Sequence, residues 1–259
     1  MYDQFSGDYD RFVNWPARLT GEMPFLEAQI RSVQTSNHQE LRVLDTACGT
    51  GMHAIALNHK GFRLAGADLS AKMIEKAHQN AKEDDTVVDF RVAGFGELAS
   101  TFQASPLFPF HVLLCLGNSL PHALTQAQLL ETLRDFKACL QPGGLLLIQN
   151  RNFDAILANQ QRWMEPQYHR EGNKEWIFIR FYDFSANGLI QFNLLTLYRS
   201  GNDDWQQTES SALINPLTKK ELIEVLSDVG FGNIICYGDM DGNPFDASSS
   251  PNLVVCAYL

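Results

Sequence analysis

A chain of 259 residues with 45% hydrophobic and 19% charged residues has the composition of a folded domain with a full core, which excludes a disordered or low-complexity polymer. Its formal net charge of −10, with no basic cluster, argues against a nucleic-acid partner, whose phosphates must be neutralised by Lys and Arg. The five cysteines form no CxxC pair, residues 1–15 lack the basic start and apolar stretch of an export signal, and no apolar run is long enough to span a membrane, so the expectation is a cytoplasmic protein with a small-molecule substrate.

Taken in chain order, residues 1–40 carry Tyr9, Phe12, Trp15 and Arg18 and are expected to form a helical cap on the core. Arg42-Val43-Leu44-Asp45 reads as a short apolar strand, followed by glycines and a helix over about 52–60 that stops at Gly61. A second strand over 62–67 ends at Asp68, after which Ser70 caps a helix with Met73, Ile74 and Ala77 on one face. Strands over 87–93 and 110–116 precede a helix opened by a Thr125/Gln128 capping box. Pro142-Gly143-Gly144 then turns the chain into Leu145-Leu146-Leu147-Ile148, whose unbroken apolarity suits a strand buried on both faces. Strands alternating with helices predict a parallel α/β sheet.

After Asn150 the pattern changes. Strands over 176–184, 189–199 and 205–214, joined by Asn187-Gly188 and by residues 201–204, read as an antiparallel meander. We expect this stretch, 160–215, to be an inserted lid within one domain spanning 1–259. A helix opened by the Thr218/Glu221 capping box and closed at Gly230 follows, and strands over 233–237 and 252–258 form an antiparallel edge pair.

The chemistry concentrates in Leu44-Asp45-Thr46-Ala47-Cys48-Gly49-Thr50-Gly51, a carboxylate at a strand end followed by a glycine turn, and in Asp68 at the end of the next strand. Glycine lets a ligand lie against the backbone, and Asp68 can accept both hydroxyls of an adenosine ribose. The segment Gly49-Thr50-Gly51-Met52-His53-Ala54 also fits a dinucleotide turn, so NAD is a competing ligand. Charge separates the two. Asp45 repels a pyrophosphate and attracts the ammonium of S-adenosylmethionine.

At these residues the chain resembles the class I S-adenosylmethionine methyltransferases, and within them glycine N-methyltransferase. The resemblance is carried by residues 43–51, by Cys115-Leu116-Gly117-Asn118-Ser119 with His122, and by Arg151-Asn152-Phe153-Asp154 with Ile156-Leu157. It implies a seven-stranded, mostly parallel, doubly wound Rossmann-like sheet with an inserted antiparallel meander. It also implies that Ala47, Gly49, Gly51, Asp68, Ser70, Met73, Leu116 and Gly117 belong to the cofactor site with Asp45, that Gly94 and Phe95 flank the adenine, and that Tyr9 and Arg18 close over the cofactor, Arg18 at the methionine carboxylate. Where the wider superfamily often has an acid after the third strand, Ala93-Gly94-Phe95 offers only backbone to the adenine amino group.

Methyl transfer from a sulfonium releases a neutral leaving group, so orientation and exclusion of water matter more than acid–base machinery. Asn118, which offers both donor and acceptor, is the first candidate for orienting the substrate; His122 is a candidate for ordering the same loop. By the family match a cation pairs with an amino-acid carboxylate, and Arg151, Arg162, Arg170 and Arg180 are the candidates. An Asp-Pro-Pro-Tyr motif for nucleobase amines is absent. Asp239-Met240-Asp241-Gly242-Asn243 resembles the start of a calcium loop, but position 250 is Ser where a Glu should close it, and the histidines lack metal-ligand spacing. No metal is expected. The expected activity is methyl transfer to a small acceptor, the nitrogen of an amine or amino acid. An O- or C-methyltransferase, an NAD-dependent oxidoreductase and a cofactor-binding protein without turnover remain as alternatives, and the oligomeric state stays open.

Overall fold

The computed structural model describes residues 2–33 and 40–259. Within the expected 1–40 cap, therefore, residue 1 and residues 34–39 lie outside the described residues. The uniformly apolar segments become the middle of the main sheet. Strands β1 (Arg42–Asp45), β4 (Phe110–Cys115) and β5 (Leu140–Arg151) lie side by side there, with β4 buried along its whole length. The order is β10-β11-β5-β4-β1-β2-β3, where β2 is Arg63–Asp68, β3 is Asp89–Val92, β10 is Gly232–Tyr237 and β11 is Asn252–Tyr258. The pairs β1·β2, β1·β4, β2·β3 and β4·β5 are parallel; β11 runs antiparallel to both β5 and β10.

Alternate residues of each central strand feed opposite faces, as a period of two requires. Leu113, Leu146 and Val255 pack with Leu98 and Phe102 of α5 (Leu98–Phe102), Leu133 and Phe136 of α6 (Gln126–Cys139), and Leu222 and Leu226 of α8 (Lys219–Val229). Val112, Leu147 and Val254 pack on the other face against α2 (Trp15–Ser32), α3 (Met52–Asn58) and α4 (Ala71–Glu83) through Leu26, Ile30, Leu57, Ile74 and Ala77. The sheet is thus covered on both faces. Strand order reverses between β1 and β4, and a crevice at the carboxyl ends of those strands is where such sheets place ligands.

Local chemistry explains the helix starts. Ser70 accepts from the Met73 amide at 3.2 Å, Asn14 accepts from Ala17 at 3.2 Å with Pro16 in the first turn, and the Thr125/Gln128 and Thr218/Glu221 boxes form reciprocally. Two expectations need correction. Pro142-Gly143-Gly144 does not break the chain: β5 runs through it, absorbing the irregularity as a register shift against β4. The meander has four strands, in the order β6-β7-β8-β9. The unforeseen β6 (Gln167–Glu171) has no apolar alternation, and it is a strand because it pairs with β7 (Lys174–Phe184) across a Gly172-Asn173 turn.

Strands β8 (Ile190–Ser200) and β9 (Gln206–Ile214) complete this second sheet. Its inner face joins two small apolar clusters. Tyr182, Ile190 and Ile214 meet Phe153 and Ile156 of α7 (Phe153–Asn159), while Trp176, Phe178 and Leu194 meet Tyr9 and Phe12 of α1 (Tyr2–Phe12). Backbone hydrogen bonding ties the end of β9 to the main sheet's loops, with the Asn215 amide donating to Pro121 O at 2.7 Å. No helix among the described residues is long and apolar enough to cross a membrane.

Candidate active site

Two adjoining cavities open at the carboxyl ends of β1 and β4, between the main sheet, α1 and the second sheet. The first, about 360 Å³, is walled by Ala47, Asp68, Leu69, Met73 and Phe95, with Ser211 and Ala212 of β9 on its far side. Asp68 is its charged feature. One carboxylate oxygen accepts from the Gly49 amide at 2.9 Å and the other from the Ser70 amide at 2.9 Å. Two backbone amides thus fix the carboxylate at the cavity wall. Gly49 turns the chain at φ +54°, a left-handed conformation that ordinary residues resist.

Tyr9, Ala47, Gly49, Asp68, Met73, Gly94, Phe95 and Gly117, all expected at the cofactor, line this cavity together. Gly51, Ser70 and Leu116 line neither cavity. A Cβ at Gly51 would sit 2.6 Å from the Phe90 ring and 3.0 Å from Ala77, so its small size serves packing of the turn on α4 and β3. Ser70 spends its hydroxyl on the α4 cap, and Leu116 is a core residue at 3% exposure. Leu69 was missed. This leucine is 77% exposed on the cavity wall, and its position directly after the strand-end acid was the available signal.

Asp45 also lines neither cavity. It is 1% exposed, with one carboxylate oxygen lacking any hydrogen-bond partner. Burial pushes its carboxyl up to about 7, opposed by the Ala47 amide and assisted by the negative charge of Asp68. A half-satisfied buried acid of this kind is costly unless a donor or cation reaches it.

The second cavity, about 320 Å³, shares Tyr9, Gly117 and His122 with the first. Asn118 stands between β4 and this cavity at φ +66°, immediately after Gly117 at φ +70°, so two successive left-handed residues turn the chain. Its side-chain oxygen is already used, accepting from the Arg151 amide at 2.9 Å. That bond fixes the carboxamide in place and leaves its NH₂ group as a donor for a ligand.

Arg18 reaches the same turn, its Nη2 lying 3.6 Å from where a Gly117 Cβ would be. A network holds it: Glu22 accepts from Arg18 Nε at 3.1 Å, from Gln149 at 3.0 Å, and from His53 Nε2 at 2.7 Å. Burial would raise the Glu22 carboxyl, but the His53 hydrogen bond and the Arg18 charge outweigh it and hold the group at about 2. His53 is lowered by burial despite Glu22, so it serves as a neutral donor. Glu22, His53 and Gln149 were not anticipated; Glu22, one helical turn from Arg18, was the readable part. His122, likewise lowered by burial, is hydrogen-bonded to the Leu213 backbone of β9.

The geometry separates the four arginine candidates. Arg162 is exposed and paired with Asp183 at 2.7 Å, and Arg170 is exposed with Glu175 at 3.9 Å. Arg151 and Arg180 face the second cavity, and neither pairs with a carboxylate among the described residues. Arg180 lies over the Phe12 ring at 5.1 Å, its Nη2 donates to Glu165 O at 3.3 Å, and its Nε is buried without a partner. Burial first, and Arg151 second, hold its pKa below the usual arginine value. Between the two arginines Tyr182 is buried and its hydroxyl pKa raised.

A methyltransferase domain family matches residues 43–144, the stretch that contains the Asp45 loop, Asp68 and Asn118. This chain is an S-adenosylmethionine-dependent methyltransferase. It is similar to a glycine/sarcosine N-methyltransferase of Aphanothece halophytica, with 28% identity over 248 residues covering 91% of this chain and 81% of that one. Its fold is similar to that of an S-adenosylmethionine-dependent methyltransferase from Clostridium acetobutylicum, with a TM-score of 0.75 at 13% identity over 100% of this chain and 98% of the other. A sugar N-methyltransferase from Streptoalloteichus is similar in fold as well, with a TM-score of 0.71 at 16% identity over 100% and 92% of the two chains. Because this fold carries different acceptors, the acceptor must be argued from the second cavity.

Proposed function

We propose that this methyltransferase transfers a methyl group to the nitrogen of a small amine, an amino acid in particular. The observation that carries the reading is Arg180, a half-buried arginine whose Nε is buried without a partner and which has no carboxylate partner among the described residues, facing the cavity that adjoins the nucleotide loop. A ligand carboxylate would satisfy it by a charge-assisted pair. Similarity to glycine/sarcosine N-methyltransferases over nine-tenths of the chain supports the same class of acceptor.

The residues present fit the cofactor. The Asp68 carboxylate, an acceptor on the cavity wall, suits the ribose hydroxyls, Leu69 and Phe95 offer apolar surfaces to a purine, and the orphaned oxygen of Asp45 calls for a cation. Arg18, which reaches the Gly117 turn, would meet the methionine carboxylate. S-adenosylmethionine supplies a methyl group activated by its sulfonium. For their part, Asn118 Nδ2 donates to an acceptor oxygen and so aims the amine. His122, tied to β9, orders the loop, and α1 with the second sheet acts as a lid that keeps bulk water out.

The test is release of S-adenosylhomocysteine by the purified chain with a panel of amino acids, simple amines and hydroxylated metabolites. Turnover with amino acids and none with their N-acylated forms is expected. Turnover confined to hydroxyl acceptors would overturn the reading.

A further inference from the structure

A third cavity, about 260 Å³, joins the second through Arg151, Met164 and Tyr182 and extends away from the nucleotide loop toward residues 248–251. Its far wall is built rather than loose. Asn152 Nδ2 donates to the carbonyls of Ala247 at 3.2 Å and Ser250 at 2.9 Å, while Asp246 accepts from Ser248 and Ser249. That folds the nearest carboxylate back onto its own loop. Among the described residues no Asp or Glu lines this cavity, and the one acid lining the second, Glu22, is spent on Arg18 and His53. In a chain of net charge −10, the two cavities together hold two arginines without carboxylate partners among the described residues. Two like charges around one buried tyrosine repel each other, and a single carboxylate at Arg180 leaves Arg151 uncompensated.

We infer that the third cavity is a side-chain subsite, and that the acceptor is an amino acid whose side chain ends in a second anionic group held by Arg151. The inference rests on the amino-acid reading above and narrows it: glycine would leave this cavity empty. A dicarboxylic amino acid would place its α-carboxylate at Arg180 and its second carboxylate between Arg151 and the polar wall at Ser249 and Asn159. Among the described residues no acid of the protein lines that wall to compete for Arg151.

The experiment compares kcat/KM for glycine, alanine, glutamine, aspartate and glutamate, read as S-adenosylhomocysteine release. Glutamate and glutamine have the same shape, so their ratio isolates the charge. We expect at least about a tenfold preference for an acidic acceptor over both its amide and glycine, because a site that pairs an anion rejects the isostere lacking it. Arg151→Gln should bring the acid-to-amide ratio to within about threefold. Ala155→Leu, which fills the cavity from α7 without touching a charge, should lower the longer acceptors relative to glycine. Glycine equal to or better than the acidic amino acids, or an acid-to-amide ratio unmoved in Arg151→Gln, overturns the inference while leaving amino-acid methylation intact. Turnover with no amino acid at all overturns both readings together.

Discussion

The two main cavities share a wall but are built by different means. The one beside Asp68 is made mainly of strand ends and turns lying between Thr46 and Ser119, with Tyr9, His122 and β9 closing it, and its polar contacts come largely from backbone amides fixed by the sheet. The one beside Asn118 is assembled from side chains on α2, the β4 turn, β5 and β7, more than a hundred residues apart in the chain. The first is what a parallel sheet offers wherever its strand order reverses, and so it comes with the fold. The second depends on what the inserted sheet brings over the crevice. A mutation should therefore separate cofactor affinity from acceptor use according to which cavity it strikes.

The largest effect should come from Asp68→Ala. Losing two charge-assisted hydrogen bonds to the ribose is expected to weaken S-adenosylhomocysteine binding by on the order of a hundredfold, measured by calorimetry. Binding weakened less than about threefold would break the comparison at its root. Next is Arg180→Met. We expect KM for the acceptor to rise by about thirtyfold with cofactor affinity nearly unchanged, and thermal stability to be kept or improved, since a half-buried guanidinium with an unpartnered Nε is removed. Equal losses in both ligands would mean that the cavities are not separable.

Asn118→Ala should lower kcat roughly tenfold, with a smaller change in cofactor affinity, because it removes the free donor. The same change also removes the Arg151 amide's acceptor and leaves a left-handed backbone to a residue less suited to it, so Asn118→Gly serves as the control. A glycine variant as active as the native chain would show that the carboxamide only shapes the turn.

The smallest effect is a pH dependence. The Asp45 carboxyl, raised by burial to about 7, holds its proton where an unfolded chain has lost it. In the ligand-free protein this group therefore costs stability progressively as pH rises from the ordinary carboxylate value of 3.8 to about 7, and the cost is constant above that. A ligand ammonium favours the ionised form. S-adenosylhomocysteine should accordingly bind up to about tenfold more tightly at pH 8 than at pH 6, releasing a proton at the lower pH, and Asp45→Asn should flatten the profile. A native profile as flat as the variant's would remove Asp45 from cofactor recognition.

Strand-end acids, turn glycines and helix caps were legible because each acts over a few residues: Asp68 and Gly49 by their place beside a strand, Ser70, Thr125 and Thr218 by hydrogen bonds to an amide two or three positions on. Glu22, His53 and Gln149 were not legible as a unit, since only packing of α2 over α3 and β5 brings them within hydrogen-bond distance. Gly51 shows the converse. Its motif position suggests ligand contact, but what it actually meets is Phe90 and Ala77.

By itself, then, the sequence determined the strand and helix order, the doubly wound sheet and the charged glycine loop at Asp45, because periodicity, capping and turn chemistry are local. Only the tertiary structure decided which arginines line the second cavity, that the Asn118 oxygen is tied to the Arg151 amide, and that Asp45 is buried half-satisfied. These facts depend on desolvation and on partners supplied by distant strands, which no spacing in the chain encodes.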